Sequence, residues 1–200
     1  MSAENKKAMR AEMKDLREEL SARDPDAGET LADKFPLKLL ERYGPIVAVY
    51  MPIGSEIDPR PLMTKLVAAG AKLALPCVLK DGSMIYRHYT RGDPLEKREF
   101  DLLEPFHEVP EVHPTLILTP LLAYDAKGNR LGYGKGHYDR AIAKLRENGR
   151  AFVCGLAFHG QEVDAIPAEE HDIPLDWVMT ERGSIPLFMM RAMGEARSED

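Results

Sequence analysis

TLILTP, residues 115–120, leads through AYDAKGNRLGYGKGHYDR (123–140) into AIAKLRENG (141–149) and then AFVCGLAF (151–158). The first and last segments are short and almost wholly apolar, as strands covered on both faces are. Between them, YDRAIAKLRENG (138–149) closes on Gly149 and reads as a helix that begins near His137. Strand, helix, strand predicts a parallel βαβ crossover with a glycine-rich segment at its turn.

Working outward, the same grammar recurs upstream. IVAVYMP (46–52) and KLALPCV (72–78) read as buried strands around a helix in PLMTKLVAAG (61–70). SMIYRHY (83–89) reads as a more exposed strand, residues 92–114 as loop with short helical turns, and DWVMTE (176–181) as a last short strand. Residues 3–21 lack Gly and Pro and set Met9, Met13, Leu16 and Leu20 on one helical face. A second helix is expected over 29–42, stopping at Gly44-Pro45. No internal repeat or linker is visible, so residues 1–190 read as a single domain and 191–200 as a frayed tail.

With 27 Lys and Arg against 33 Asp and Glu, the 200-residue chain carries a formal charge of −6. A net acidic chain is a poor default for nucleic-acid binding, which wants a basic face, so no nucleic-acid partner is expected. No apolar run reaches the roughly 20 residues that cross a bilayer, so a soluble, cytoplasmic protein without membrane partners is expected. Cys77 and Cys154 lie in strand-like segments outside any CxxC pair and read as buried, reduced thiols. The six histidines show no zinc spacing.

Chemistry concentrates in 123–140. Gly132, Gly134 and Gly136 let the backbone approach a ligand without β-carbons. The next helix offers unpaired N–H groups, and Arg130 and Lys135 add two cations, a phosphate-holding arrangement whose alternative is a structural turn. It is neither a Walker A loop, since Lys135 is followed by Gly136, nor a dinucleotide fingerprint, since His137 occupies the third glycine position. Asp139, in the first helical turn, is either a helix-stabilising carboxylate or a magnesium ligand. A second ligand could come from Glu169, Glu170, Asp172 or Asp176, among which spacing does not choose. Lys6, Arg10 and Arg17 fall within about 40° on the first helix, beside its apolar stripe, as a solvated edge or an anion site. By itself Glu56 reads as a solvated loop charge.

RLGYGKGHYDR (130–140), preceded by YDAKG and followed by IPAEEHDIPLDWVMTE, resembles the 5-formyltetrahydrofolate cyclo-ligase family, also called methenyltetrahydrofolate synthetases. KKAMR, VYMPIGSEID, ALP (74–76) and LEP (103–105) extend the resemblance over most of the chain. It implies a three-layer αβα sandwich with a mostly parallel, Rossmann-like sheet and ligands beyond its C-terminal edge. It further implies a conversion of 5-formyltetrahydrofolate to 5,10-methenyltetrahydrofolate that requires ATP and Mg²⁺ and releases ADP and phosphate. The formyl oxygen attacks the γ-phosphate to give an imidate phosphate ester, N10 closes the ring, and phosphate leaves. Such chemistry asks mainly for positioning and charge neutralisation.

By position, the resemblance assigns Lys6, Arg10 and the loop Arg130, Leu131, Gly132, Tyr133, Gly134, Lys135, Gly136, His137 and Tyr138 to ATP, with Lys135 and Arg130 as catalytic residues. Met51, Glu56, Tyr133, Gly134, Lys135, Gly136 and His137 are assigned to the folate, and Asp139 and Asp172 to magnesium. His137 stands where many relatives carry Tyr, and Glu104 receives no role. The expected partners are the two small molecules alone, with the protein a monomer. The competing readings are an ATP-using paralogue acting on another amide or carboxyl compound, and a binder without turnover.

Overall fold

The computed structural model describes residues 3–98, 102–169 and 171–189. Its elements are α1 (Ala3–Arg23), α2 (Ala27–Lys34), α3 (Lys38–Tyr43), β1 (Ile46–Ala48), α4 (Arg60–Ala68), β2 (Lys72–Val78) and β3 (Met84–Tyr89). There follow β4 (Leu95–Lys97), β5 (Leu103–Pro105), β6 (Leu116–Pro120), β7 (Ala123–Tyr124), β8 (Arg130–Leu131), α5 (His137–Glu147), β9 (Phe152–Leu156), β10 (Trp177–Thr180) and β11 (Gly183–Ile185). Seven strands form one sheet in the order β11-β10-β9-β6-β1-β2-β3. The five inner strands run parallel, and β3 and β11 flank them antiparallel.

Apolar residues on both faces of each inner strand require a helical layer on either side. Val47, Leu73, Leu116, Phe152 and Met179 pack under α2, α3 and α4 through Leu31, Leu39, Leu62 and Leu66. Their neighbours Ala48, Ala74, Ile117, Val153 and Val178 face the opposite way, toward Ala141 and Ile142 of α5. The result is the expected three-layer sandwich. From β1 the chain crosses through α4 to β2, and from β6 through α5 to β9 on the other side. The loops leaving the adjacent strands β1 and β6 therefore diverge, and such a switch point opens a crevice beyond the carboxyl ends. Met13 of α1, with Met9 and Leu16 beside it, packs on Leu122, Leu131 and Ile166, laying this helix across that end.

Several expectations need correction. The helix expected over 29–42 is two helices, because Pro36 holds the preceding Phe35 extended at ψ 125°. The strand expected over 46–52 ends at Ala48, and the Tyr50 hydroxyl donates to the Ile57 carbonyl at 2.8 Å to close a loop. The strand in 83–89, at the edge of the sheet, is less exposed than expected: Met84, Ile85 and Tyr86 are buried, and the Val112 amide bonds the Tyr86 carbonyl at 2.9 Å. The described part of the 92–114 stretch also contains the antiparallel pair β4-β5, which the loop reading did not foresee. DWVMTE is not the last strand, since β11 pairs beside it. The supposed tail, residues 191–200, and Glu170 lie outside the described residues. Both cysteines are free and buried, and burial pushes the Cys77 thiol up to about 12. No described helix is long and apolar enough to cross a membrane.

Candidate active site

Between β6 and α5 the chain first makes a small hairpin, β7-β8, pairing Ala123 with Leu131 and Tyr124 with Arg130. Asp125, buried at its turn, accepts the amides of Lys127, Asn129 and Ile166 at 2.9 to 3.0 Å. Residues 132–136 then run into α5. Gly134 and Gly136 have φ of +88° and +64°, conformations that side chains rarely adopt. A β-carbon on Gly134 would stand 3.0 Å from Cζ of Arg10, whose Nε donates to the Gly132 carbonyl at 2.9 Å. A guanidinium thus lies flat on the glycine loop, joining α1 to the candidate phosphate cradle.

Arg130 sits beneath that loop, its side chain only 5% exposed. It donates to Thr119 Oγ1 at 3.0 Å and to Asp139 Oδ1 at 2.9 Å, and stacks over the Tyr138 ring at 5.3 Å. Lys135 is exposed on the loop. Leu131 is buried against α1, and its carbonyl accepts the Leu122 amide at 2.8 Å. His137 Nδ1 lies 3.0 Å from the Gly82 carbonyl, tying the start of α5 to the β2-β3 turn.

The loop after β1 supplies the opposite wall, with Met51 partly buried against the core beneath α2 to α4. Glu56 is buried and not solvated, since α1 and Tyr133 close over it. Its Oε2 accepts the Ile53 amide at 2.9 Å, and its Oε1 accepts the Tyr133 hydroxyl at 3.2 Å. Burial raises the Glu56 carboxyl above its ordinary range, while the Ile53 amide, Arg17 and Tyr133 pull it back. Tyr133 belongs to both walls: its hydroxyl is inside the site, and its residue is still half-exposed.

Lys6 and Asp172 meet at the third side. Lys6 Nζ donates to Glu169 Oε1 at 2.7 Å and Asp172 Oδ2 at 3.3 Å. Burial lowers its pKa, but the two carboxylates outweigh that and hold the ammonium above its usual value. Asp139 Oδ1 accepts the amide of Ile173 at 3.1 Å, so this carboxylate lies against the peptide that follows Asp172. Asp139 Oδ2 makes no hydrogen bond among the described residues. These hard carboxylate oxygens are a donor set that magnesium takes, completed by phosphate and water. No group of three or more metal-binding side chains occurs among the described residues. Asp176 is engaged elsewhere, by Arg146 and the Val153 amide.

Arg17 and Glu104 were missed as buried groups. Arg17 was visible only as part of a basic row, yet it is 2% exposed and donates to Ser55, Leu121 and Tyr133. Glu104 accepts the Val78 amide at 2.9 Å and anchors β5 to β2. Neither side chain carries a local signal that distinguishes it from a surface charge.

An α/β sandwich with a glycine loop and a helix N-terminus at a topological switch point is an architecture on which α/β enzymes bind anionic ligands. The model of the 5-formyltetrahydrofolate cyclo-ligase family matches residues 2–181, and the chain belongs to that family of enzymes. It is 30% identical to the 5-formyltetrahydrofolate cyclo-ligase of Haemophilus influenzae over 183 residues, covering 88% of this chain and 97% of that one. The Mycolicibacterium smegmatis cyclo-ligase is 34% identical over 173 residues, 80% and 86% of the two chains. The solved Aquifex aeolicus 5,10-methenyltetrahydrofolate synthetase superposes with a TM-score of 0.73 at 28% identity, covering 91% and 92% of the chains.

Proposed function

We propose that this chain uses ATP and Mg²⁺ to convert 5-formyltetrahydrofolate to 5,10-methenyltetrahydrofolate, releasing ADP and phosphate. The observation that carries this reading is the bond from Tyr133 of the glycine loop to Glu56 of the facing loop at 3.2 Å. A phosphate cradle and a buried carboxylate suited to a pterin's N–H groups share that wall, which brings phosphoryl donor and acceptor together.

In this scheme Glu56 accepts hydrogen bonds from the pterin and orients the N5-formyl group toward the loop. The formyl oxygen attacks the γ-phosphorus, and the bond to the ADP oxygen breaks. Lys135 and the loop amides neutralise the charge on the moving phosphoryl group. N10 then attacks the activated carbon and loses its proton, and the C–O bond to phosphate breaks. Lys6 and Arg10 hold the polyphosphate, and Arg130 fixes the start of α5. Asp139 and Asp172 would hold magnesium, which supplies charge neutralisation for phosphate oxygens. With a charge of −6, a monomer acting in the cytoplasm on small molecules, without nucleic-acid or membrane partners, fits this role.

The test follows near-ultraviolet absorbance of purified protein with 5-formyltetrahydrofolate, adding or withholding ATP and Mg²⁺. The conjugated methenyl product absorbs where the substrate does not. A rise that needs both additions is expected. No rise, with ATP binding still seen by calorimetry, would refute the reading in favour of a paralogue or a binder.

A further inference from the structure

Arg17 has no place in the scheme above, yet it occupies the centre of the site. Its guanidinium reaches three separate segments: Nε donates to Ser55 Oγ at 3.1 Å, Nη1 to the Leu121 carbonyl at 3.4 Å, and Nη2 to the Tyr133 hydroxyl at 2.7 Å. Nη1 also lies 3.8 Å from Glu56 Oε1, both side chains being 2% exposed, and the Tyr133 ring is 5.7 Å from Cζ. The Tyr133 hydroxyl accepts from Arg17 and donates to Glu56, so its two hydrogen bonds fix the end of the ring. A buried ion pair is weak evidence for stability, because apolar residues of like volume often serve the fold as well. A planar fork that satisfies three directions at once is a geometry lysine cannot reproduce.

We propose that Arg17 is a positioning residue, clamping the Tyr133 hydroxyl against Glu56 so that the glycine loop and the loop after β1 present one preformed wall to the folate. The inference rests on the cyclo-ligase reading for the ligand's identity and on the hydrogen bonds for the clamp. Without the fork, Tyr133 is free to swing outward from its half-exposed position, and Glu56 loses the guanidinium 3.8 Å from its carboxylate. Substrate would then have to organise the wall as it binds, which appears in KM for folate more than in KM for ATP.

The test compares Arg17→Gln, Arg17→Lys, Tyr133→Phe and Arg17→Gln/Tyr133→Phe in the full chain, with kcat and KM for each substrate and with thermal melts. Arg17→Gln should raise the folate KM on the order of tenfold or more, with a much smaller change for ATP. Arg17→Lys should fail to restore it. The double variant should bind folate no worse than Arg17→Gln alone, within about a factor of two, because both changes break one clamp. Multiplicative effects would overturn the proposal, as would a kcat loss that merely follows the folded fraction while folate KM stays fixed. Wild-type turnover tests the cyclo-ligase reading separately. Should that fail, amide hydrogen exchange still decides the clamp: faster exchange in Arg17→Gln confined to 53–57 and 132–136 supports it, and unchanged exchange there overturns it.

Discussion

Replacing Asp139 separates its structural bond from its proposed metal role. Its Oδ1 takes Arg130 Nη2 at 2.9 Å and the Ile173 amide at 3.1 Å, with Arg130 and Asp139 side chains 5% and 18% exposed. Asp139→Asn keeps an oxygen acceptor and a bond still charge-assisted by the guanidinium, but removes the opposite charge, a loss of about 1–1.5 kcal/mol for this partly buried pair, at and just above the top of the range for exposed pairs. For a domain of this size each kcal/mol is worth about 2–4 °C, so its Tm should fall by about 2–6 °C. Asp139→Ala strands a nearly buried guanidinium, and the low end of the range for breaking such pairs, about 3 kcal/mol, predicts a fall of about 6–12 °C. The kinetic assay is the initial rate of methenyl formation against Mg²⁺, well below either Tm. Asp139→Asn should shift half-saturation by magnesium upward on the order of tenfold or more, with raised Mg²⁺ restoring part of the rate. A lowered Tm with unchanged magnesium dependence would reduce Asp139 to an anchor for Arg130. An unchanged Tm would refute the energetic reasoning from the Arg130 pair.

Three further outcomes are expected. Lys135→Ala should depress kcat by on the order of a hundredfold while folate affinity, followed by calorimetry, stays nearly constant, and equal losses would contradict its transition-state role. In its proposed role Glu56 must be ionised to accept the pterin's N–H groups, and burial raises its carboxyl above the ordinary 4.5. Its protonated fraction therefore grows on acidification before that of a surface glutamate, with Arg17, Tyr133, Tyr50 and Tyr138 as the groups that act on it. Folate KM should rise as pH falls through this elevated range, and a flat profile down to the ordinary carboxylate range would argue against the assignment. Glu104→Ala leaves the Val78 amide without its 2.9 Å acceptor and should cost about 1–3 kcal/mol in denaturant unfolding. Activity per folded molecule should be unchanged, and its loss at full stability would place Glu104 in the substrate site.

Apolar runs, glycines and prolines were enough to find both βαβ units. KLALPCV coincides with β2, and the helix expected from His137 is α5. These features are legible because strand and helix periods are local and burial of apolar side chains follows them directly. The glycine loop was legible for the same reason: alternating glycines before a helix state their backbone geometry in consecutive residues. The break at Pro36 was equally present in the chain, but the residues around it still suited one helical pattern.

Burial of charge has no such local code. Arg17 lies beside the apolar stripe of α1 with the spacing of a surface cation, and what buries it arrives from Ser55, 38 residues away, and Tyr133, 116 residues away. Glu56 looks like a loop carboxylate until α1 and the glycine loop close over it. Composition and pattern thus account for the sheet, its helical layers and the glycine loop before α5. Only the folded chain decides which charges leave water, because that depends on segments distant in sequence supplying hydrogen bonds to offset the desolvation of each ion.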